Sequence, residues 1–269
     1  MIALVYSSKD RTSMLVAEHI IRKYGPTELD HTRMQGISAL HKLDTALLVK
    51  TDTELVSAEF ADSLGADVIY FISKHSSSAG IGSFSTHSEG NWIQKAELGG
   101  RPCQLSFAAP AEMLNVLRSL SKIDVEMEKS YEATHHGPLL KTPSLFAELG
   151  GNEETRSDIK LAEKLADAIM RAIDMPKEFS KVVVGIGGMH YPSKFSKLAV
   201  EKGYAFSHIL PKYAVSDDIE SSLATLPQVL ERSRPKPELA LIDWKSFNLE
   251  TKSKIIKRLN EMGLEYAKV

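Results

Sequence analysis

Short apolar runs alternate with amphipathic stretches along the chain, and this alternation restricts the fold more than any other feature of the sequence. Apolar runs of about four to eight residues are typical of buried strands, whereas apolar residues spaced three and four apart are typical of helices. We therefore predict an α/β fold with helices on both faces of a sheet. The predicted strands are residues 2–6, 46–50, 67–73, 104–109, 182–187 and 239–243, and the predicted helices are residues 13–24, 112–121, 155–173 and 251–262.

The helix predicted over residues 155–173 has both an apolar face and start signals. Its apolar residues recur at helical spacing, which gives it one buried side. Thr155 is placed to cap the helix, and Asp158 stands where a capping box has its carboxylate. Gly203 and Gly263 are predicted to end two other helices.

Composition and charge exclude several classes of protein. The chain has 269 residues, 43% hydrophobic and 25% charged, and we predict a single α/β domain over residues 1–269. A formal net charge of −2 excludes the strong basic field of a general nucleic-acid binder, so an RNA substrate would need a local patch. One cysteine, Cys103, excludes an internal disulfide and a multi-thiolate zinc site.

No segment predicts a membrane association. The apolar runs are all shorter than the roughly 18 to 20 residues that cross a bilayer. The segment IALVYS after Met1 lacks the charged and hydrophobic regions of a secretion signal. We therefore expect a cytoplasmic protein with no membrane partner.

Two polar segments interrupt the regular pattern, residues 74–91 and residues 132–143. Both are rich in small or turn-forming residues, and each contains two histidines. Ligands of open α/β sheets bind in the crevice beyond the carboxyl ends of the strands. We therefore predict that these segments are loops and that they carry the chemistry.

Six of the nine histidines lie in or beside such loops. Imidazole is a neutral metal ligand or a general base near neutral pH, so several imidazoles in one crevice suit hydrolysis. Plainer alternatives stay open: surface hydrogen bonding for His75 and His87, and a satisfied structural role for His208. The six residues are His75, His87, His135, His136, His190 and His208.

His190 is favoured most by its position, because it follows a strand and a glycine turn. Gly187 and Gly188 of this turn are expected to bring backbone amides close to a ligand, with a plain tight turn as the alternative. The third glycine and the downstream acidic residue of a dinucleotide turn are missing, so no nucleotide cofactor is predicted. Glu148 is a candidate carboxylate, and an ordinary solvated carboxylate is its alternative.

Two groups of basic residues are candidate phosphate contacts. Lys194 lies close to His190 in the sequence, and Lys254, Lys257 and Arg258 share one helix face. A solvated charged face is the alternative for both groups. No HExxH, paired CxxC or GxSxG motif is present, so spacing alone establishes neither zinc nor a serine triad.

Five motifs follow one another along the chain: FISKHSSSAGIGSFSTHSEGN, EATHHGP, FAELG, GIGGMHYP and SHILPKY. Together they resemble the archaeal and plant type of D-aminoacyl-tRNA deacylase. The resemblance extends from Met1 to at least Tyr213, and the pair THHGP and GGxHYP is far more specific than an isolated histidine.

The resemblance implies a three-layer α/β/α enzyme with a central mixed sheet, akin to phosphorylases and peptidyl-tRNA hydrolases. It implies a monomer without an obligate protein partner that hydrolyses the ester between a D-amino acid and tRNA, in translation quality control. It also implies zinc, without assigning the ligands. The expected site residues are His135, His136, His190 and Glu148 for catalysis, His75, His87, Gly187, Gly188, His208 and Lys194 for substrate binding, and His75, His87 and His136 as candidate zinc ligands.

One corner departs from the family pattern. After Glu148 the family is expected to have Gly-Ser followed shortly by a tryptophan, whereas this chain has Gly150, Gly151 and Asn152. A contribution of this corner to the pocket would change the substrate preference. Two other hypotheses stay open: a histidine-dependent or metal-dependent hydrolase or phosphorylase of a small molecule, and a non-catalytic RNA-binding module.

Overall fold

The computed structural model describes residues 1–32, 34–76 and 80–269. Its strands are β1 (Ile2–Ser7), β2 (Thr27–Glu28), β3 (Ala39–Lys42), β4 (Ala46–Thr51), β5 (Val68–His75), β6 (Ser83–His87), β7 (Gly90–Asn91), β8 (Gln104–Leu105), β9 (Glu128–Tyr131), β10 (Ser144–Gly150), β11 (Lys181–Ile186), β12 (Tyr204–Leu210), β13 (Leu239–Ile242) and β14 (Glu265–Lys268). Its α-helices are α1 (Arg11–Tyr24), α2 (Pro110–Leu120), α3 (Glu153–Arg156), α4 (Ile159–Asp174), α5 (Ser193–Lys202), α6 (Lys212–Asp217), α7 (Ile219–Thr225), α8 (Gln228–Glu231) and α9 (Leu249–Glu261). Short 3-10 helices cover Leu55–Ser57, Glu59–Leu64 and Trp244–Ser246. Within the described ranges, no helix has both the length and the apolar character needed to span a membrane.

The larger sheet has eight strands in the order β2-β3-β4-β1-β5-β10-β6-β9. Strands β4, β1, β5 and β10 are parallel, whereas β6 is antiparallel to β10, so the sheet is mixed. The register places His75, the last residue of β5, beside Gly150 of β10. It also places His87, the last residue of β6, beside Phe146 of β10.

The smaller sheet has four parallel strands in the order β12-β11-β13-β14. The segment that follows β9 connects it to the larger sheet. The Ala133 N–H donates to the carbonyl of His190 at 2.8 Å, and the Thr134 N–H donates to the carbonyl of Ile209 at 3.0 Å. These two hydrogen bonds bring the turn after β11 and the end of β12 against the segment that follows β9.

Helices cover both sheets on both sides. Leu15 of α1, Leu114 of α2 and Leu165 of α4 pack in one apolar cluster with residues of the larger sheet. On the opposite face of that sheet, Leu55 and Ala61 of the 3-10 helices pack against a second set of its residues. The smaller sheet packs on α5 through the first cluster and on α9 through a further cluster. The mixed sheet with helices on both sides confirms the predicted fold class.

The start of α1 is tied to the end of β5. Asp10 caps the helix, because its Oδ1 accepts a hydrogen bond from the Ser13 N–H at 3.2 Å. Its Oδ2 accepts a hydrogen bond from the Lys74 N–H at 2.8 Å. One buried carboxylate therefore positions the residue that precedes His75.

Several predicted elements differ from the structure. The strand predicted over 104–109 is reduced to the two residues of β8. The helix predicted over 155–173 is two helices, and Asp158 is itself the N-cap of α4, since its Oδ1 accepts from the N–H groups of Lys160 and Leu161. The polar segment 74–91 contains β6 and the end of β5, although residues 77–79 lie outside the described residues. Gly203 ends α5 with φ of 68°, as predicted.

Candidate active site

Five histidines and two glutamates converge where the two sheets meet, and we call this group the histidine cluster. His75 and His87 end β5 and β6, Glu148 lies within β10, and His190 arrives from the smaller sheet. The other residues come from the segment between β9 and β10. The complete cluster is His75, Glu132, His87, His135, His136, Glu148 and His190.

Glu132 lies at the centre of one half of the cluster. Its Oε2 is 2.9 Å from Nε2 of His190 and 3.0 Å from Nδ1 of His75. Its Oε1 accepts a hydrogen bond from the Ser85 hydroxyl, and the side chain is completely buried. Glu148 is close as well, with Oε2 3.3 Å from Nδ1 of His75. Two imidazoles from different sheets are thus held by one buried carboxylate.

In the other half of the cluster, backbone carbonyls fix the orientation of three imidazoles. Nδ1 is 3.1 Å from the Ser88 carbonyl in His87, 2.8 Å from the Ala133 carbonyl in His135, and 2.6 Å from the Gly137 carbonyl in His136. A carbonyl oxygen only accepts hydrogen bonds, so each Nδ1 carries the proton. In His135 and His136 each Nε2 therefore presents a lone pair, the arrangement that second-shell carbonyls impose on metal-binding histidines. Nε2 of His87 instead lies 3.6 Å from Oε2 of Glu148.

The histidines of the cluster differ in charge. Burial disfavours the charged form of His87, but Glu148 outweighs it and raises the pKa of His87. Burial lowers the pKa of His136 to about 4 and, with the neighbouring His87, holds the pKa of His135 well below its usual value, so both rings are neutral near pH 7. Burial also disfavours the charged form of His75, but Glu132 and Glu148 outweigh it and raise the pKa of His75 to about 10. Burial alone would raise the pKa of Glu132, yet His190 and His75 hold it well below its usual value.

His136 has φ of 47°, the left-handed region that non-glycine residues rarely adopt. This conformation lets two adjacent residues face the same cluster, since the ring centroids of His135 and His136 are 4.3 Å apart. An extended chain would direct them to opposite sides. Local backbone strain of this kind is concentrated at functional sites.

A cavity of about 640 Å³ opens beside the cluster. Its inner wall is formed by His75, His135, His136, Glu148 and His190, together with Tyr191. Its remaining wall combines polar groups with four aliphatic side chains. These other lining residues are Ser7, Asp10, Glu54, Leu55, Val56, Ser73, Lys74, Ser76, Ile81 and Leu98.

Four residues expected to bind substrate lie elsewhere. His208 is fully buried, its Nε2–H donates to the Ser106 carbonyl at 3.0 Å, and it is absent from the described cavity lining. The amides of Gly187 and Gly188 donate to the Leu210 carbonyl and to the Ser246 hydroxyl, so they are not directed at a ligand as expected. Lys194 forms an ion pair with Asp243. Gly187 packs so closely against Ser246 that a Cβ would not fit, and this explains the glycine at that position instead.

Two members of the second basic group, Lys254 and Arg258, are also paired with carboxylates. Nζ of Lys254 lies 3.4 Å from Glu250 and 3.9 Å from Glu220, and Arg258 lies 3.2 Å from Glu261. These contacts fit the solvated charged face that was the alternative to a phosphate contact.

Sequence reasoning missed Glu132 and Tyr191. Glu132 directly precedes ATHH and follows the strand EKSY, and a carboxylate at a strand end beside two histidines was the available signal. Tyr191 follows His190, and its hydroxyl is 3.2 Å from the Ser83 hydroxyl. Neither residue has a characteristic spacing that would single it out.

The donor atoms of the cluster fit a zinc ion. His87, His135 and His136 form one group whose ligand atoms lie within 4.8 Å of one another, and His75, Glu132, His135 and His190 form another. Nε2 of His75 and of His87 has no hydrogen-bond partner in the described part of the chain. Buried polar atoms need a partner, and imidazole with carboxylate is a donor set that zinc accepts. The three ligands expected from the sequence are divided between the two groups, with His75 in the second.

The fold and the site define an α/β enzyme with a histidine–carboxylate centre suited to hydrolysis. The family model of D-aminoacyl-tRNA deacylase matches residues 63–267. This chain belongs to the D-aminoacyl-tRNA deacylase family.

Curated relatives carry the name of this family, and a solved structure shares the fold. The D-aminoacyl-tRNA deacylase of Pyrococcus furiosus is 37% identical over 268 residues, 96% of each chain. That of Thermococcus onnurineus is 33% identical over 273 residues, 98% of each chain. A crystal structure of a conserved protein of unknown function is 28% identical with a TM-score of 0.89, covering 100% of this chain and 95% of that chain. The two curated relatives support the deacylase over a small-molecule hydrolase or phosphorylase.

Proposed function

We propose that the histidine cluster is where this D-aminoacyl-tRNA deacylase hydrolyses the ester between a D-amino acid and tRNA. The observation that carries this proposal is the convergence of five imidazoles and two carboxylates in one cluster, of which four imidazoles and Glu148 line one cavity. Ester hydrolysis needs an activated water, a group that moves its proton and stabilisation of the developing oxyanion. The cluster contains both neutral and charged imidazoles. These side chains can activate the water and move its proton without help from outside the protein.

Zinc is the proposed cofactor, held by Nε2 of His87, His135 and His136. The carbonyl that fixes Nδ1 of each ring leaves Nε2 available for a metal, and His135 and His136 are neutral. Glu148 raises the pKa of His87 against the effect of burial, so His87 would release its Nε2 proton on binding zinc. His75, Glu132 and His190 form an adjoining donor group that contains a carboxylate. When bound, zinc supplies Lewis-acid chemistry, which polarises a carbonyl and makes a water molecule more acidic.

The pair of Glu132 and His190 is proposed to move the proton. The His190 side chain is 31% exposed and lines the cavity, while Glu132 beneath it is completely buried. A buried carboxylate stabilises the imidazolium that forms when His190 accepts the proton of the attacking water. The water oxygen bonds to the ester carbon, the bond from that carbon to the ribose oxygen breaks, and the proton passes to the ribose oxygen. The products are a free D-amino acid and tRNA.

We further propose that the enzyme works as a monomer in the cytoplasm, in translation quality control. Charged tRNA is the substrate, and every residue of the cluster comes from one chain. Selection against L-aminoacyl esters is proposed to be steric, through walls that an L side chain would meet.

Release of amino acid from D-tyrosyl-tRNA and L-tyrosyl-tRNA tests the proposed function. The purified protein is expected to release D-tyrosine at least about a hundredfold faster, a difference of about 2.7 kcal/mol in transition-state stabilisation. Chelation should abolish release, and zinc should restore it. Equal rates on the two esters, or no release from either, would refute the proposal.

A further inference from the structure

Two of the exposed side chains that line the catalytic cavity are aliphatic, beside polar ones such as Glu54 and Lys74. Leu98 and Ile81 both line the cavity and are 61% and 54% exposed, whereas Glu148 on the inner wall is 2% exposed. Half-buried Val56 lines the same cavity, whereas Leu55 beside it is 5% exposed and packs in the core. Large aliphatic side chains left in solvent at the entrance of a polar catalytic cavity mark a surface that a ligand covers.

Backbone packing fixes Leu98 in this position. Its carbonyl accepts a hydrogen bond from the Gly137 N–H at 2.9 Å, and the Asn91 side-chain amide donates to the Gly99 carbonyl at 3.0 Å. A Cβ on Gly99 would collide with the carbonyl of Val56, and one on Gly137 would collide with the backbone of Gly100. The loop that carries Leu98 is therefore held directly against the residue that follows His136.

The connectivity of the substrate determines what reaches this surface. The ester must lie at the histidines, and the body of the tRNA must stay outside the cavity. The terminal nucleoside, which joins the two, therefore occupies the mouth. A nucleobase presents flat faces that apolar side chains can cover, and a pre-organised surface binds without the loss of loop entropy.

We propose that Leu98, together with Val56 and Ile81, binds the terminal nucleobase of the tRNA acceptor end. This inference rests on the proposed function. It assigns Leu98 to recognition of the RNA part of the substrate and leaves the chemical step to the histidine cluster.

The experiment combines Leu98→Ala with removal of the base. D-tyrosyl-tRNA is compared with D-tyrosyl-tRNA whose 3′-terminal nucleotide is abasic. Leu98→Ala is expected to raise KM for the normal substrate about tenfold, since a buried leucine contributes roughly that much, and to leave kcat within about twofold. On the abasic substrate, the wild type and the variant should have KM values within about twofold of each other.

Leu249→Ala is the matched control, because Leu249 is an 81% exposed leucine on α9 that is absent from the described cavity lining. It should leave KM unchanged on both substrates. A Leu98→Ala variant with unchanged KM on the normal substrate would overturn the inference, and so would an equal rise on both substrates. Failure of the wild type to release D-tyrosine at all would instead refute the proposed function.

Discussion

His136 and His208 are chemically alike but differ in their surroundings. Burial lowers the pKa of each to about 4, and each donates one ring N–H to a backbone carbonyl. The second nitrogen of His136 joins a group with His87 and His135, and the ring lines the cavity. His208 packs edge-on against Trp92 with ring centroids 6.4 Å apart. A buried neutral imidazole is therefore not a sign of catalysis by itself, and convergence with other ligands is what distinguishes the site.

The largest expected effect comes from His190, which lines the cavity and is proposed to move the proton. His190→Ala should lower kcat about a thousandfold, because the group that moves the proton is lost while Glu132 stays buried. Single-turnover release of D-tyrosine from tRNA measures this. Met189→Ala, which changes the exposed neighbour, should stay within about threefold of the wild type. Comparable rates for the two variants would contradict the role of His190.

Metal content distinguishes the cluster from His208 directly. His87→Ala should lower the zinc bound per chain, because one of the three proposed Nε2 ligands is removed, whereas His208→Gln should keep the wild-type content. Elemental analysis after purification in buffer with trace zinc provides the measurement. Equal zinc in both variants would place the metal elsewhere.

The backbone beside His136 should be sensitive to added volume. Gly137→Ala is expected to destabilise the protein by about 3 kcal/mol, since the new Cβ would collide with Gly100 and Val56. Gly65→Ala is the control, because Gly65 has φ of 66° but nothing within 4 Å of an added Cβ, and its strain costs about 1 kcal/mol. Urea unfolding of both variants gives the comparison. A Gly137→Ala variant as stable as Gly65→Ala would show that this packing is not tight.

His208 should make stability depend on pH. Burial lowers its pKa from the ordinary value of 6.5 to about 4 in the folded chain, so below pH 6.5 the unfolded chain binds the proton more readily. The resulting loss of stability sets in as pH falls below 6.5. Between pH 7 and pH 5 the free energy of unfolding of the wild type should fall by about 2 kcal/mol more than that of His208→Gln. A constant difference between the two proteins would mean that His208 titrates normally in the fold.

The sequence predicted most strands of the sheet but not the strands with polar sequences. Strands β1, β4, β5, β11 and β13 have continuous apolar runs, which is the pattern of strands buried on both faces. Strand β6 has the sequence SFSTH and is completely buried. Its Ser85 donates a hydrogen bond to Glu132 instead of packing in the apolar core. A strand whose side chains support a site lacks the apolar pattern that would reveal it.

The site could be predicted as a set of histidines but not as a geometry. The positions of His75, His135, His136 and His190 followed from polar loops after strands. Their convergence depends on long-range contacts such as the Ala133–His190 hydrogen bond, which no local pattern encodes. His208 had the same local signals and lies elsewhere. The substrate came from the motif resemblance, since residue chemistry alone indicated hydrolysis without naming an ester.

Release of D-tyrosine from tRNA by His136→Ala and His208→Gln, measured side by side, decides whether the histidine cluster is the catalytic centre. We expect a loss of about a hundredfold or more for His136→Ala and a rate within about threefold of the wild type for His208→Gln. Equal losses in the two variants, or a larger loss in His208→Gln, would contradict the assignment of catalysis to the cluster.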